Sequence, residues 1–192
     1  IQDGLLEGIE VVNDTTYSNE AFQLALDHNL TILGTSDIHD LIDWQYRIPS
    51  GGHRPVTLVF ATEKTPAALK RALRGGKTVV WFNKRLLGKR KHLLPLINAS
   101  LSIRSASYIQ NSTVVHVVLA NNSDAPYILR NQSTYDFYNT TDLITVPPHG
   151  EAIIDVRTIE IKRKFEMQFE VLSALSAPAT HPVFTILVRP KQ

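Results

Sequence analysis

The first forty residues alternate strand, helix and strand patterns, and this alternation limits the fold more than any other feature. Residues 8–13 are largely apolar and rich in β-branched side chains, as in a buried strand. A helix runs through Tyr17–Asn29 with Ser18 as its N-cap, and the apolar run Leu30–Leu33 follows as a strand that Gly34-Thr35-Ser36 ends. A strand–helix–strand unit of this kind predicts parallel strands in an α/β region.

A carboxylate and an imidazole, Asp37 and His39, stand directly after the second strand. Side chains at i and i+2 of an extended chain leave on the same side, so we expect these two to converge on one point. Carboxyl ends of strands are the usual place for functional sites in α/β proteins. Oxygen plus imidazole ligands suit Zn, Mn or Fe. The pair predicts part of a divalent metal site, with a cap or surface hydrogen bond as the alternative.

The two strand ends resemble a known family. Residues 5–83 resemble the end of a PHP (polymerase and histidinol phosphatase) domain. The resemblance is carried by a strand, a helix and a second strand end, with the strand sequences Gly8-Ile9-Glu10-Val11-Val12-Asn13 and Leu33-Gly34-Thr35-Ser36-Asp37-Ile38-His39. The resemblance implies the last βα units of a distorted PHP (β/α)7 barrel that hydrolyses phosphoesters with divalent metals. It also implies that Asp37 and His39 are the family's last two ligands. Secreted bacterial phosphodiesterases with a β-rich tail are the subgroup that the chain most resembles.

The resemblance also implies an incomplete barrel. The family's opening H-x-H motif and its middle Glu and His ligands belong to the first half of the barrel, whereas Ile1 already stands near the penultimate strand. A catalytic zinc site keeps about three protein ligands, so Asp37 and His39 alone are too few. We therefore expect this chain to be inactive by itself, and to need the missing N-terminal half or a partner chain over the open barrel edge.

Two residues of the first strand are candidates for the pocket around the pair. Glu10 is either a catalytic carboxylate or a hydrogen-bonding support for the site, and we favour the second role. Asn13 ends the same strand and faces the same rim.

The irregular loop Asp40–Arg54 follows the Asp-x-His pair. As a substrate rim, it would place Arg47 or Arg54 against a phosphate group. As a plain surface loop, which we favour, it would use Trp44 as its hydrophobic anchor.

Two further predicted strands, Pro55–Ala61 and Lys77–Phe82, flank a helix and complete the first region, which we place at residues 1–86. The basic run 84–91 lacks interleaved aromatic residues. We interpret it as a solvated connector at the domain junction.

From about Leu93 the chain changes to short strand patterns at roughly ten-residue spacing, which is typical of an all-β sandwich. The clearest alternation places every second residue from Phe165 to Val171 inward. We predict an immunoglobulin-like β-sandwich at residues 93–192. Its predicted strands are 99–107, 113–120, 127–130, 143–146, 151–156, 162–172 and 183–189.

Composition excludes several classes of function. The formal charge of +2 on 192 residues is too small to favour nucleic acid. The chain contains no apolar run of the roughly 20 residues that a membrane span needs. It also contains no cysteine, which rules out disulfides and thiolate chemistry.

Seven of the ten asparagines head an N-x-S/T sequon. They are Asn13, Asn29, Asn98, Asn111, Asn121, Asn131 and Asn139. This excess predicts a glycosylated protein, with turns rich in Asn, Ser and Thr in a bacterial protein as the alternative. The last five lie at turns or between strands of the predicted sandwich, where glycans fit. Both interpretations favour a secreted, periplasmic or extracellular location.

Three functions stay open at this point. The first, which we favour, is the C-terminal portion of a metal-dependent phosphoesterase or phosphodiesterase. The second is a catalytically dead extracellular structural or adhesive glycoprotein, in which open strand edges assemble with partner chains into a homo-oligomer or filament. The third, a carbohydrate- or protein-binding module, rests on fold analogy alone.

Overall fold

The structure is a computed structural model that describes residues 5–191 in two compact units. The first unit comprises the described residues up to Leu93 together with Leu175–Thr180, and the second comprises Leu94–Ala174 and the described residues from His181 onward. Within residues 5–191, no helix is long and apolar enough to cross a membrane.

The elements follow one another in two series. The first series is β1 (Gly8–Asn13), β2 (Thr16–Tyr17), α1 (Asn19–Asp27), β3 (Thr31–Thr35), α2 (Ile42–Gln45), a 3₁₀ turn (Ile48–Ser50), β4 (Val56–Val59), α3 (Pro66–Arg74), β5 (Thr78–Phe82), β6 (Arg85–Leu87) and α4 (Arg90–Ser100). The second series is β7 (Leu101–Tyr108), β8 (Val114–Asn121), β9 (Tyr127–Asn131), β10 (Asp136–Phe137), β11 (Leu143–Val146), β12 (Glu151–Arg157), β13 (Phe165–Val171), β14 (Ala174–Leu175) and β15 (Val183–Val188).

The first unit contains two sheets that share one hydrophobic core. One sheet has the order β2-β1-β3 and the other β14-β6-β5-β4. β1 and β3 are parallel, which confirms the predicted strand–helix–strand unit. The helix between them begins as predicted, because the Ser18 hydroxyl accepts a hydrogen bond from the Ala21 amide. Val12 and Ile32 of the first sheet meet Val80 of the second in the core.

β3 and β5 lie against each other where the two sheets meet. Thr78 Oγ1 donates to the Ile32 carbonyl oxygen at 2.7 Å, and Thr57 Oγ1 lies 2.9 Å from both the amide nitrogen and the carbonyl oxygen of Gly34. A Cβ at Gly34 would overlap the side chain of Val80. Thr78 contacts Ile32, and two residues later Val80 contacts Gly34, so β5 and β3 run in the same direction. The carboxyl ends of β1, β3 and β5 therefore lie at one end of the unit.

Two details of this unit differ from the prediction. β3 continues through Gly34 and Thr35, beyond the predicted end, because these residues pair with Val12 and Asn13 of β1. β4 and β5 are antiparallel, and the described strands of the unit form two separate sheets. The seven-stranded barrel therefore stays a prediction.

The prediction of a solvated connector at 84–91 is wrong in part, although four of its five basic residues are exposed. Part of this run forms β6, and Lys89 is only 7% exposed, with its Nζ donating to Asn29 Oδ1 at 2.7 Å. Burial, and then the charge of Lys91, lower the pKa of Lys89. Helix α4 follows directly and contains Pro95, a residue that usually ends a helix.

The second unit consists of two four-stranded antiparallel sheets, with the orders β10-β12-β8-β7 and β11-β9-β13-β15. All seven strands predicted for this region are present, and every second residue from Phe165 to Val171 is buried, as predicted. The rings of Phe137 and Phe169, which belong to different sheets, lie 6.3 Å apart. The two sheets thus bury facing side chains, as in a sandwich.

The sequon asparagines of the second unit differ in exposure. Asn98, Asn111 and Asn139 are exposed, and Asn131 is half-buried. Asn121 is only 2% exposed. Its Nδ2 donates to the carbonyl oxygens of Ala125 at 2.8 Å and Pro147 at 3.0 Å, while its Oδ1 accepts from the Ser123 amide at 2.9 Å. A glycan on Asn121 Nδ2 is incompatible with this folded unit.

Replacing Gly34 with alanine is expected to lower the free energy of unfolding by about 1–3 kcal/mol, because the new methyl group overlaps Val80 in a packed core. Urea unfolding measures the loss. Val80→Ala should cost less in the Gly34→Ala background than in the wild type, since the smaller side chain makes room for the methyl group. Equal costs in both backgrounds would contradict the close approach.

Asn121→Ala is expected to lower the free energy of unfolding by about 1–3 kcal/mol, because buried carbonyl and amide groups lose their partner. The matched control is Asn98→Ala, because Asn98 is an exposed sequon asparagine in a helix. This substitution should lower the free energy of unfolding by no more than about 0.5 kcal/mol. Similar losses in the two variants, measured by urea unfolding, would show that the Asn121 contacts do not stabilise the unit.

Candidate functional site

The carboxyl ends of β1 and β3 gather the polar side chains that the sequence singles out. Asn13 and Thr35 are paired across the two strands. The exposed Glu10 links both ends, because its Oε1 accepts from Thr35 Oγ1 and its Oε2 accepts from Asn13 Nδ2, each at 2.8 Å. Both carboxylate oxygens of Glu10 thus accept hydrogen bonds from the strand ends. These contacts are the ones expected if Glu10 is a hydrogen-bonding support for the site rather than a catalytic carboxylate.

Asp37 and His39 lie together just beyond β3. Asp37 Oδ1 is 3.4 Å from His39 Nε2, and the two side chains are 53% and 84% exposed. The reason for the convergence differs from the expected one. β3 ends at Thr35 and Asp37 has a φ of 46°, in the left-handed region, so the stretch is not an extended strand. A turn in the backbone, rather than strand alternation, brings the two side chains together.

The spacing of the pair fits two ligands of one metal ion. Donors about 2.1 Å from a tetrahedral zinc ion lie about 3.4 Å from each other. In the described part of the chain, however, no group of three or more His, Cys, Asp or Glu residues is placed to hold a metal. The pair is therefore compatible with part of a metal site, and a complete site needs further ligands.

The loop after the pair is anchored by a different residue from the predicted one. Trp44 is 77% exposed, so the prediction of Trp44 as the anchor is wrong, whereas Tyr46 is 7% exposed. Burial, and then the hydrogen bond to Asp14, raise the pKa of Tyr46 to about 12. Tyr46 is therefore a neutral phenol at neutral pH and keeps the proton of its hydroxyl group.

The two arginines predicted for a phosphate lie on the same loop. Arg47 and Arg54 are both exposed. The positive charge of Arg54 opposes the rise of the Tyr46 pKa. Arg47 has a φ of 49° and precedes the 3₁₀ turn.

Sequence reasoning missed Asp14 as a member of this region. Its carboxylate oxygen Oδ1 accepts from Tyr46 Oη at 2.8 Å and from Gln45 Nε2 at 3.0 Å. The hydrogen bond from Tyr46 is the largest of the causes that lower the pKa of Asp14. A signal was present in the sequence, because Asp14 is a carboxylate that follows a strand end, as Asp37 is.

A cavity of about 340 Å³ lies in the first unit beside the ends of β1 and β5. It is lined by Val12, Thr15, Tyr17, Phe82, Asn83, Arg85 and Leu87. None of the side chains predicted for the site lines it, so it is separate from the Asp37–His39 pair.

Comparisons with known proteins agree with the two kinds of region in this chain. The family model DUF5001, described as an Ig-like domain, matches residues 101–187. The prediction of an immunoglobulin-like domain is thereby confirmed. We found no match among curated proteins.

Nearly the whole chain is similar to a solved structure. This is the crystal structure of a two-domain protein from Bacteroides vulgatus that contains a predicted PHP-like metal-dependent phosphoesterase. The TM-score is 0.86 at 29% sequence identity, and the match covers 97% of this chain and 54% of that one. The chain thus spans about half the length of the protein that it matches. The expected similarity to a PHP-like protein is confirmed at this level, and the secreted phosphodiesterase subgroup stays a prediction.

The positive φ of Asp37 generates a prediction about substitutions at this position. Asp37→Asn is expected to change the free energy of unfolding by less than about 0.5 kcal/mol, since asparagine tolerates the left-handed region. Asp37→Val should lower it by about 1–2 kcal/mol, because a branched Cβ clashes there. Urea unfolding compares the two variants, and equal stability would mean that Asp37 does not hold the left-handed conformation.

Proposed function

We propose that this chain supplies Asp37 and His39 to the divalent metal site of a phosphoester hydrolase. The observation that carries the proposal is the approach of a carboxylate oxygen and an imidazole nitrogen to 3.4 Å, both exposed, beyond the carboxyl end of β3. The similarity to a predicted PHP-like metal-dependent phosphoesterase supports the same assignment.

The donor set favours zinc, manganese or iron, since a carboxylate and an imidazole suit these ions. A bound divalent ion would supply polarisation of the phosphoryl group and activation of water. The remaining ligands would come from a part of the protein outside this chain. The matched protein is about twice as long, which leaves room for such a part.

The residues of this chain then have distinct roles. Asp37 Oδ1 and His39 Nε2, which lie 3.4 Å apart, would hold the ion. Glu10 holds the ends of β1 and β3 together through its two hydrogen bonds, so that the turn carrying the pair starts from a fixed position. Arg54, exposed on the following loop, provides positive charge for the phosphate group of the substrate.

The test is metal content and phosphodiester hydrolysis in the full-length protein. Asp37→Ala and His39→Ala are each expected to lower metal affinity and hydrolysis of bis(p-nitrophenyl) phosphate by at least about 100-fold, because even the partners of metal ligands contribute 10–100-fold. Metal content is measured by mass spectrometry after equilibration with Zn²⁺, Mn²⁺ or Fe²⁺.

The chain offers a matched control pair. His149 Nε2 lies 2.7 Å from Asp124 Oδ1, and both side chains are exposed, but they belong to the second unit. Asp124→Ala and His149→Ala should change neither metal content nor hydrolysis. Unchanged metal and activity in the Asp37 and His39 variants would refute the proposal. A full-length wild type without metal or activity would instead favour the structural or adhesive glycoprotein.

A further inference from the structure

We propose that Tyr46, together with Asp14, is a positioning residue that holds the Asp37–His39 turn in its metal-binding geometry. This inference rests on the proposed function, since it concerns the same pair of ligands. Tyr46 and Asp14 are not themselves ligands in this proposal. They act on the backbone that carries the ligands.

Tyr46 contacts the backbone immediately before Asp37. Its Oη lies 2.6 Å from the Ser36 carbonyl oxygen and 2.8 Å from Asp14 Oδ1, so its single proton is donated to this pair of acceptors. The Ser36 carbonyl belongs to the peptide plane that includes the Asp37 nitrogen, and a peptide unit is rigid. Holding the Ser36 oxygen therefore fixes the orientation of the peptide that leads into Asp37.

Asp14 connects this contact to the sheet. Its amide donates to the Thr35 carbonyl oxygen at 3.1 Å, and its Oδ1 also accepts from Gln45 Nε2 at 3.0 Å. The end of β3, the turn after β1 and the end of α2 thus meet at one residue, Asp14, through its amide and its carboxylate. We call these contacts of Asp14, Gln45 and Tyr46 the Asp14–Tyr46 clasp.

The ligand turn needs such a support. Asp37 has a φ of 46°, which is unfavourable for most residues, and its side chain and that of His39 are mostly exposed. Packing around the ligands therefore provides little restraint. Hydrogen bonds to the backbone are what remains to restrain the turn, and partners of this kind commonly contribute 10–100-fold to metal affinity.

The loop that carries Tyr46 is itself closely folded. The Gly52 amide donates to the Arg47 carbonyl oxygen at 3.1 Å, and a Cβ at Gly52 would overlap the Tyr46 carbonyl oxygen. The backbone at Gly52 therefore packs against the backbone at Tyr46. This close packing, together with the burial of the Tyr46 ring, holds the phenol in place under the turn.

The test measures Zn²⁺ affinity of the full-length protein by chelator competition and compares Tyr46→Phe with Tyr17→Phe. Tyr17 is a matched control, because its hydroxyl is buried in the same unit without a hydrogen-bond partner among the described residues. Tyr46→Phe should bind Zn²⁺ about 10–100-fold more weakly than the wild type, and Tyr17→Phe should stay within about 2-fold of the wild type.

Asp14→Gly, in which glycine can keep the positive φ of position 14, should reproduce the loss of Zn²⁺ affinity. Because the two residues act through one contact, the loss of Zn²⁺ affinity in the double variant Tyr46→Phe/Asp14→Gly, relative to the wild type, should be smaller than the product of the two single losses.

Two further readouts separate this inference from a purely structural role and from failure of the proposed function. The visible spectrum of the Co²⁺-loaded protein should change in Tyr46→Phe, and exchange of the Asp14 backbone amide, which donates to the Thr35 carbonyl oxygen, should accelerate by about 10-fold in the metal-free protein because this end of the sheet opens more easily. Equal affinity, spectrum and exchange in Tyr46→Phe and wild type would overturn the inference and leave the proposed function intact. A wild type that binds no metal would overturn the proposed function, and faster exchange in Tyr46→Phe would then still support the clasp.

Discussion

The approach of β3 to β5 is the constraint on which the rest of the first unit depends. Gly34 allows the two strands to come so close that Val80 occupies the space where a Cβ would stand. The hydroxyl group of Thr78 on β5 reaches the buried backbone of β3, and the hydroxyl group of Thr57 on the neighbouring β4 satisfies the backbone of Gly34. The two sheets consequently share one core, and the ends of three strands lie at the same end of the unit.

The polar end of the unit is organised by hydrogen bonds to strand ends and backbone rather than by burial of the Asp37–His39 pair. An exposed Asp–His pair contributes little to stability by itself, since exposed ion pairs are worth about 0–1 kcal/mol. Two groups of hydrogen bonds lie beside the pair. Glu10 ties β1 to β3, and the Asp14–Tyr46 clasp ties the following loop to the peptide before Asp37. A site built in this way can present open ligand atoms and still be held in one geometry.

The candidate site could be predicted only in part from the sequence. Asp37 and His39 converge as expected, but through a left-handed turn, which a pattern of alternating side chains does not reveal. Trp44 has the larger apolar surface and was the natural choice of loop anchor, yet Tyr46 is the buried residue. Tyr46 has oxygen acceptors within reach of its hydroxyl group, and one of them, Asp14 Oδ1, lies 32 residues earlier in the chain.

Local pattern was sufficient for the strands of the second unit, for the parallel strand–helix–strand unit and for the helix start at Ser18, because alternation, apolar runs and capping residues act over a few residues. Tertiary structure alone decided which groups are buried against distant partners. Lys89 meets Asn29, and Asn121 meets Pro147, across separations that no local pattern records. By itself, the sequence determined most of the strands, the helix after Ser18 and the residue types of the Asp-x-His pair, but not β6 or α4. The folded chain decided the geometry of the pair, because a turn and its hydrogen bonds depend on residues brought together only by packing.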